Sequence, residues 1–478
     1  MNLQSTASTF QLEIIKLVEK FFHDRKFSYL LIFAVVVILY HSSLKYYFFA
    51  DDYGFIEKAT HGFSYYNIFC VDFFKRHFYR PLTSGVMYAI SYNFFKLNPL
   101  GYRIVCLVLF ILNNCLVYEI ARRLTKKREL AFITSLFYVT RGAHAQSIYW
   151  IAAGYQELGM AFFVLCSILL YLQFIHHKNK LYYLSSLMCS IFALLSKESS
   201  LILPLLIILI EIYVNGINTS FDLKTLLLRA APFLIVTMLY FARVYIIVNI
   251  AAGGYGGFYK MNFSLYTLWK NILFYITHSV NTSVETFMAC ILISLAVLKG
   301  KNRKYTIFSI TWFFIGVLPF VFLEAHSRPY YLSVSLVGFS LLLSIGIKYL
   351  YEYFHSVRHM LTLAFVFICI LCVRVNIINN QYIKNIDRYE KFVSNFLSNL
   401  KHSFPSFPNG SLVFIKDTNR SIFWLLSGGA VIRLNYENNI SVYFEGVSEK
   451  LPVKYTQIYY FHYDANRAVV QYLEKANN

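Results

Sequence analysis

The stretch Tyr47-Phe48-Phe49-Ala50-Asp51-Asp52-Tyr53-Gly54 follows an apolar segment over roughly residues 28–48. An apolar segment of about 20 residues is long enough to cross a bilayer as a helix. Two adjacent carboxylates are costly to place in hydrocarbon, so Asp51 and Asp52 predict that the first membrane helix ends here. A pair of acids at a membrane exit can be a solvated helix end, and polar residues elsewhere in the chain bear on whether it is more.

The composition of the chain is that of a membrane protein. Of its 478 residues, 58% are hydrophobic and only 14% are charged, and its mean hydropathy is +0.51. Soluble domains carry about 25% charged residues. The sequence therefore predicts an all-α polytopic membrane protein surrounded by membrane lipids. Much of the formal net charge of +20 lies in short loops between apolar segments, which favours membrane orientation over a nucleic-acid partner.

The apolar segments predict about eleven membrane helices. Their approximate bounds are 28–48, 102–121, 129–141, 156–175, 181–196, 198–214, 228–249, 286–298, 304–322, 331–350 and 359–379. Residues 82–95 are also apolar, but a helix of about 14 residues is too short to cross comfortably at 1.5 Å per residue. We expect an interfacial or re-entrant helix that begins at Pro81. Because several segments are short, counts from ten to thirteen remain open.

Positive charges orient this arrangement. If residues 82–95 do not cross, the segments on the inner side are roughly 1–27, 122–128, 176–180, 215–229, 299–304 and 348–359, and they hold about 19 Lys and Arg in about 72 residues. The segments on the outer side, roughly 49–101, 142–155, 250–285 and 323–330, hold about 8 in about 111 residues. This distribution fits the positive-inside rule. A crossing at 82–95 would instead place the basic runs 122–128 and 299–304 outside.

Three parts of the chain differ in pattern. Residues 1–27 have apolar positions at helical spacing and predict an amphipathic helix on the cytoplasmic face. Residues 28–379 form the predicted membrane domain, with a first outer loop over 49–101. Residues 380–478 are polar and predict a small extracytoplasmic α/β domain. Its strand-like runs are 411–415, 440–444 and 456–461, and its helical candidates are 381–400, 420–427 and 465–475.

Polar residues from separate segments collect at the predicted outer boundary of the membrane. They include Asp51, Asp52, Arg80, Arg141, His144, Glu157, Lys197, Glu198, Arg243, His326 and Arg328, with Tyr330 beside Arg328. Ionisable groups at membrane depth are costly and usually face a cavity or a partner. Acids and bases that reach one layer from so many elements therefore predict a site.

Each of these residues also has a structural interpretation. Lys197 and Glu198 can form a hairpin whose charges pair or extend to the interface. His144 can be a structural loop residue, and Arg243 can form a buried ion pair with one of the acids. Glu157 can be a solvated helix start that the helix dipole favours. Tyr330 can be an ordinary interfacial aromatic residue.

An ordered series of short motifs carries a family resemblance. It comprises Phe49-Ala50-Asp51-Asp52, Tyr79-Arg80-Pro81-Leu82, Leu97-Asn98-Pro99-Leu100-Gly101-Tyr102-Arg103, Arg122-Arg123-Leu124, His144 with Trp150 and Gln156-Glu157, Ser196-Lys197-Glu198, and Arg328-Pro329-Tyr330-Tyr331-Leu332. In order and spacing, the series resembles the GT-C superfamily of polytopic membrane glycosyltransferases. That superfamily includes protein O-mannosyltransferases, aminoarabinose transferases and TPR-containing mannosyltransferases. The resemblance covers about residues 28–350 and leaves the C-terminal domain out.

The resemblance implies transfer of a sugar from a polyprenyl-phosphate donor to a hydroxyl of a glycan, lipid or protein on the outer face of the membrane. It implies that Asp51 or Asp52 is the general base, with Asp51 slightly favoured, and that the sugar transfers with inversion. Lys197, Arg243 and Arg328 suit the donor phosphate, because preorganised cations stabilise charge that builds on a leaving group. We expect Arg80, His144, Glu157, Glu198 and Tyr330 to support the site or line the acceptor path.

Other interpretations stay open at this point. Adjacent carboxylates with Glu157 or His144 could hold a divalent cation, so no metal or other cofactor is assigned. A transporter or flippase of lipid-linked sugars would also place charges near a cavity. No internal repeat is evident, and the charges gather at one boundary, which favours the enzyme. Richness in Phe, Tyr, Ile, Asn and Lys is typical of an AT-rich bacterial gene and predicts the inner membrane.

Overall fold

The computed structural model describes most of the chain. The described residues are 25–60, 64, 66–75, 78–216, 222–252, 260–280, 283–298, 303–354, 357–416, 421–436, 440–447, 455–464 and 469–477. Of the predicted N-terminal helix over 1–27, only residues 25–27 are among them, and these begin the first helix.

The first half of the chain is helical, with short turns between the helices. Its α-helices are α1 (Arg25–Tyr40), α2 (Asp51–Thr60), α3 (Asp72–Lys75), α4 (Met87–Phe95), α5 (Pro99–Thr125), α6 (Arg128–Val139), α7 (Ala145–Tyr149), α8 (Ile151–His177), α9 (Lys180–Ser196) and α10 (Leu203–Asn215). A 3₁₀ turn over Glu198–Ile202 leads directly into α10. Asn98 caps α5, because its side chain accepts the Leu100 N–H at 3.0 Å and Pro99 occupies the first helical turn.

The second half continues with helices and ends in a sheet. The remaining helices are α11 (Leu223–Ala252), α12 (Leu265–Ser279), α13 (Ser283–Leu298), α14 (Arg303–Val317), α15 (Ser335–Phe354), α16 (Val357–Ser403), α17 (Ser421–Leu425) and α18 (Ala430–Asn435). The strands are β1 (Leu412–Lys416), β2 (Ser441–Phe444), β3 (Gln457–Asp464) and β4 (Val469–Asn477).

Each of the eleven predicted membrane segments lies largely on a helix. Within the described residues, five helical stretches are long and apolar enough to cross a membrane. They are Arg25–Lys45, Pro99–Thr125, Ile151–His177, Glu198–Asn215 and Leu223–Ile246. Further apolar helices of 10–17 residues cover Lys180–Ser196, Glu285–Leu298 and Ser335–Leu350. The exact number of spans, like their orientation, stays a prediction.

The predicted short helix after Arg80 is present. It opens as a π-helical turn over Pro81–Val86 and continues as α4, which ends at Phe95. Lys96 then takes a positive φ of 50° and turns the chain back towards α5. Together these turns cover about the length that the sequence predicts.

The long helices pack closely because small residues lie where they meet. A Cβ at Gly338 of α15 would lie 2.6 Å from the Ser309 carbonyl oxygen of α14. That distance is shorter than real Cβ contacts, so no side chain fits there. Glycine at this position therefore lets two backbones touch, as is common between membrane helices. Buried Trp312 donates its indole N–H to the Val334 carbonyl at 2.9 Å and fastens the same pair of helices.

The C-terminal part contains a four-stranded sheet in the order β2-β1-β3-β4. β1 lies parallel to both β2 and β3, while β4 runs antiparallel to β3. The three predicted strand runs are therefore strands. The helical prediction over 465–475 is wrong for its described part, because residues 469–477 pair with β3 as a strand. Local pattern did not show this pairing, which depends on a neighbouring strand.

No break in the chain marks the predicted start of the C-terminal domain. Helix α16 runs through residue 380 and continues to Ser403, a total of 47 residues. The division at 379 and the extracytoplasmic location of the sheet stay predictions.

Candidate active site

Buried Arg103 fixes the turn that carries the two acids. Its side chain on α5 is fully buried and donates to the carbonyls of Tyr46 at 2.6 Å, Tyr149 at 3.1 Å and Tyr47. Ala50, immediately before Asp51, has a φ of +46°, in the left-handed region that non-glycine residues seldom occupy. Contacts on both sides thus hold the start of α2 in one strained conformation.

Protein donors surround the carboxylate of Asp52. One oxygen accepts the Phe49 N–H at 2.9 Å, and the other accepts the Ala152 N–H at 2.7 Å and the Tyr88 hydroxyl at 3.3 Å. The side chain is fully buried. Burial raises the pKa of Asp52 to about 7, although the two backbone N–H groups and the charge of Arg103 lower it. Asp52 is therefore placed to hold α2, α4 and α8 together.

Asp51 is the more accessible of the two acids. It begins α2, where the positive end of the helix dipole favours a carboxylate, and its residue surface is exposed. Surrounding protein nevertheless raises the pKa of Asp51 above its ordinary value, while the charges of Lys58 and Arg80 lower it. A partly shielded carboxylate with a raised pKa and an open face suits a general base.

Arg80 lies at the centre of a second group of polar side chains. It donates to both carboxylate oxygens of Glu198, from Nε at 2.8 Å and from Nη2, and to the side-chain oxygen of Gln156. Gln156 in turn donates to Ser84 at 3.1 Å. These bonds join the start of the short helix to the hairpin between α9 and α10.

Lys197 and Glu157 form a buried ion pair. Their side chains are 4% and 0% exposed, and the lysine ammonium donates to one oxygen of Glu157. The ammonium also lies over the rings of Tyr330 and Tyr331, 5.1 and 4.9 Å from their centroids. The other oxygen of Glu157 is buried without a hydrogen-bond partner in the described part of the chain.

Arg328 lies in the loop that precedes α15, two residues before Tyr330, whose ring contacts the Lys197 ammonium. Its residue surface is exposed, and within the described ranges no ion pair involves its guanidinium. Burial, together with the positive charges of Arg328, Lys197 and Arg80, lowers the pKa of His326 to about 4, so this imidazole is neutral.

Asn271 of α12 holds the loop that carries Arg328. Its fully buried amide donates to the carbonyls of Val321 and Leu323 at 2.9 and 2.8 Å, and its oxygen accepts the Ser327 hydroxyl at 2.7 Å. One side chain thus fixes both ends of the loop.

Arg243 has a different setting from the predicted phosphate contact. Its guanidinium donates to the carbonyls of Phe73, at 2.6 and 3.0 Å, and of Asp72, at 3.2 Å. It also lies over the rings of Phe73 and Tyr79. These contacts attach α3 and Tyr79, the residue before Arg80, to α11.

His144 is enclosed by aromatic rings. It is fully buried, with the ring centroids of Tyr138 at 4.5 Å and Phe110 at 4.9 Å. Burial lowers the pKa of His144 to about 3, and the charge of Arg141 adds to the effect. The imidazole is therefore neutral and placed as a core residue.

The structure thus joins Arg80 with Glu198, and Lys197 with Glu157 and Tyr330, while Arg328 lies two residues before Tyr330. Sequence reasoning placed His326 in the polar layer without a role and assigned none to Arg103 or Asn271. Arg103 belongs to a quoted motif, whereas nothing in the sequence singled out Asn271. The described residues contain no group of three or more His, Cys, Asp or Glu that could hold a metal ion.

Comparison with known proteins gives a structural match only. Neither a protein-family model nor a curated protein matches the sequence. Among solved structures, the chain is similar to ArnT from Cupriavidus metallidurans, crystallised with undecaprenyl phosphate. The TM-score is 0.56 at 12% identity, over 91% of this chain and 93% of ArnT.

The chain therefore shares the fold of ArnT. An oligosaccharyltransferase from Archaeoglobus fulgidus, crystallised with Zn and sulfate, matches at a TM-score of 0.47 and 11% identity. That match covers 84% of this chain and 61% of the oligosaccharyltransferase. The predicted helical membrane architecture is confirmed by the fold shared with ArnT.

Proposed function

We propose that the protein is a membrane glycosyltransferase that moves a sugar from a polyprenyl-phosphate donor to an acceptor hydroxyl. The observation that carries the proposal is that three basic side chains belong to neighbouring contacts: Arg80 pairs with Glu198, next to Lys197, and the Lys197 ammonium lies 5.1 Å from the ring centroid of Tyr330, two residues after Arg328. When a lipid phosphate leaves a sugar, negative charge builds on its oxygens, and nearby cations stabilise that charge. The likeness to ArnT, whose crystal structure contains undecaprenyl phosphate, agrees with a lipid phosphate as that group.

Asp51 is the general base of this proposal. Asp52 is buried with three protein donors and has little capacity for a substrate proton, whereas Asp51 is exposed beside it. The Asp51 carboxylate takes the proton of the acceptor hydroxyl as that oxygen forms a bond to the anomeric carbon. The bond between that carbon and the phosphate oxygen breaks, and its electron pair stays on the phosphate. One displacement of this kind inverts the anomeric centre.

Arg328 makes the direct contact with the donor phosphate. Its exposed guanidinium has five N–H donors and belongs to a residue two positions before Tyr330, which contacts Lys197, and Glu157 already offsets the lysine charge in part. Tyr330 and Tyr331 enclose the lysine and keep water from it. Arg80 keeps its place through Glu198 and adds positive potential near Asp51. His326 stays neutral.

Two predicted residues take positioning roles instead. Arg243 orients the outer loop before Arg80 through the carbonyls of Asp72 and Phe73, and His144 fills the core between aromatic rings. A divalent cation has a poor set of ligands here. The oxygens of Asp52 already accept three hydrogen bonds, and Glu157 lies against a lysine. The mechanism therefore takes no step through a metal.

The site faces the outer side of a bacterial inner membrane in this proposal, because the basic loops lie on the opposite side of the predicted topology. The acceptor is a glycan, lipid or protein with a free hydroxyl, and the sugar is a hexose or pentose.

The test uses the purified full chain in detergent with a panel of undecaprenyl-phosphate hexoses and pentoses and a mixture of envelope acceptors. The readout is acceptor-dependent release of undecaprenyl phosphate. We expect release by the wild type, loss in Asp51→Asn, and no change in Glu129→Gln, an exposed acid on α6. Equal release by the wild type and Asp51→Asn would overturn the base assignment. Movement of intact donor across vesicles without release would instead support a transporter.

A further inference from the structure

Helix α2, which begins with Asp51, is held at its other half by the C-terminal part of the chain. Arg433 of α18 makes a bidentate ion pair with Glu57 of α2, and its Nη2 lies 2.9 Å from Oε2. The Glu57 and Arg433 side chains are 13% and 23% exposed, so solvent screens the pair little. The same nitrogen of Arg433 donates to the Gly428 carbonyl at 3.1 Å.

A tight turn presents Arg433 to α2. Gly428 and Gly429 have φ values of +61° and +90°, which favour glycine. A Cβ at Gly429 would lie 2.7 Å from Nη1 of Arg433, so glycine also makes room for the guanidinium. On the side of α2, a Cβ at Gly54 would lie 3.1 Å from the Ser427 hydroxyl oxygen. The turn and α2 are therefore in close contact at the level of the ion pair.

Helix α16 holds the chain just before α2. The backbone N–H of Tyr47 donates to the Glu390 carboxylate, and the rings of Phe49 and Tyr389 lie 4.7 Å apart. The Tyr389 hydroxyl donates to the Leu425 carbonyl at 2.8 Å, which links the same residue to α17. The C-terminal part thus contacts the chain on both sides of Asp51, in the segment before α2 and within α2 itself.

The geometry gives this contact leverage over Asp51. Glu57 follows Asp51 by six residues, which corresponds to about 9 Å along a helix axis. A tilt of α2 by about 10° around the Asp51 end or the Glu57 end would displace the opposite end by roughly 1.5 Å. Misplacement of a reacting group by about 1 Å can reduce a rate about 100-fold.

We propose that Arg433 and Glu57 are a positioning pair through which the C-terminal domain sets the place of Asp51. The inference rests on the proposed function, since it takes Asp51 as the base. It assigns to the C-terminal domain a role in turnover, separate from binding of the lipid donor.

The experiment reverses and then exchanges the two charges in the full-length protein. The variants are Arg433→Glu, Glu57→Arg and the double exchange of both, with Arg388→Glu, an exposed arginine on α16, as the matched control. Transfer from an undecaprenyl-phosphate sugar that the wild type uses gives kcat and the donor KM. We expect each single reversal to lower kcat about 10- to 100-fold with the donor KM within about twofold. The double exchange should recover at least a third of wild-type kcat, and Arg388→Glu should leave kcat unchanged.

Two results would overturn the positioning role. One is unchanged kcat in both single reversals; the other is a double exchange no better than the singles while gel filtration shows both to be folded. If the reversals do not fold, Arg433→Lys and Arg433→Gln replace them. Lysine keeps the charge and should retain more kcat than glutamine, and equal kcat in the two would contradict the inference. Loss of kcat in Asp51→Asn alongside normal Arg433→Glu would reject the pair and leave the proposed function standing.

Discussion

The variants Asp52→Asn and Asp51→Asn should affect different properties: the first should lower stability, and the second should lower turnover. In Asp52→Asn, the two oxygens that accept from the Phe49 and Ala152 N–H groups become one oxygen and one NH₂ group. One buried backbone N–H then faces another donor. Loss of a buried acceptor costs about 1–3 kcal/mol, and more where the acceptor is charged. We therefore expect Asp52→Asn to lower the free energy of unfolding by about 2–3 kcal/mol.

Asp51→Asn should leave stability within about 0.5 kcal/mol of wild type, because the residue is exposed and starts a helix that asparagine also tolerates. Its turnover should fall by a factor of about 100 to 10,000, the usual contribution of a general base. The assay measures thermal unfolding and donor turnover for both variants in one detergent, at one protein concentration. Glu129→Gln should match wild type in both measurements.

The reasoning is refuted by the reverse pattern. If Asp52→Asn loses turnover by more than 100-fold without a loss of stability, Asp52 is the base. If Asp51→Asn unfolds at a clearly lower temperature than Asp52→Asn, the hydrogen bonds to Asp52 do not stabilise the folded state by the amount expected here.

Three further predictions test other parts of the site. Folding raises the pKa of Asp52 to about 7, so between about pH 4 and 7 the folded state binds more protons than the unfolded state. Thermal stability should therefore fall as pH rises through this range. Asp52→Asn should make the thermal stability less dependent on pH. Glu157→Gln leaves Lys197 buried without its partner and should destabilise the protein by about 3–5 kcal/mol, whereas Glu157→Gln with Lys197→Met should unfold at a higher temperature than the single variant. Asn271→Asp replaces an amide N–H that bonds two loop carbonyls by a carboxylate oxygen, which cannot donate to them. The loop that carries Arg328 should then shift, and the KM for the lipid-linked sugar should rise about tenfold. Lys270→Gln, on the exposed face of α12, should leave that KM unchanged.

The membrane part of the fold could be predicted because its signals are local. Apolar segments of membrane length coincide with helices, and Pro81 marks the start of the short helix as expected. The strand β4 could not be recognised in the same way, since its pairing with β3 is a property of the sheet. The sequence predicts helical runs over 359–379 and 381–400, but not that they join into the single helix α16.

The candidate site could be predicted as a collection of residues but not as a set of roles. Charge placement alone could not separate Asp51 from Asp52, because the difference arises from donors on α4 and α8 that are 36 and 100 residues away. Arg243 looked like a phosphate ligand because a buried arginine in an apolar helix needs a partner. Its partners are backbone carbonyls, which every residue has and which no sequence pattern reveals.

The most direct measurement of the central claim is the affinity of the purified protein for undecaprenyl phosphate, the lipid found in the ArnT crystal structure. It requires no knowledge of the sugar or of the acceptor. Arg328→Ala should weaken binding by roughly 10- to 100-fold, as expected for loss of a charged hydrogen-bond partner, while Arg388→Ala should bind as the wild type does. Equal affinity in the wild type and Arg328→Ala, or no saturable binding by the wild type, would contradict a cationic site for a lipid phosphate.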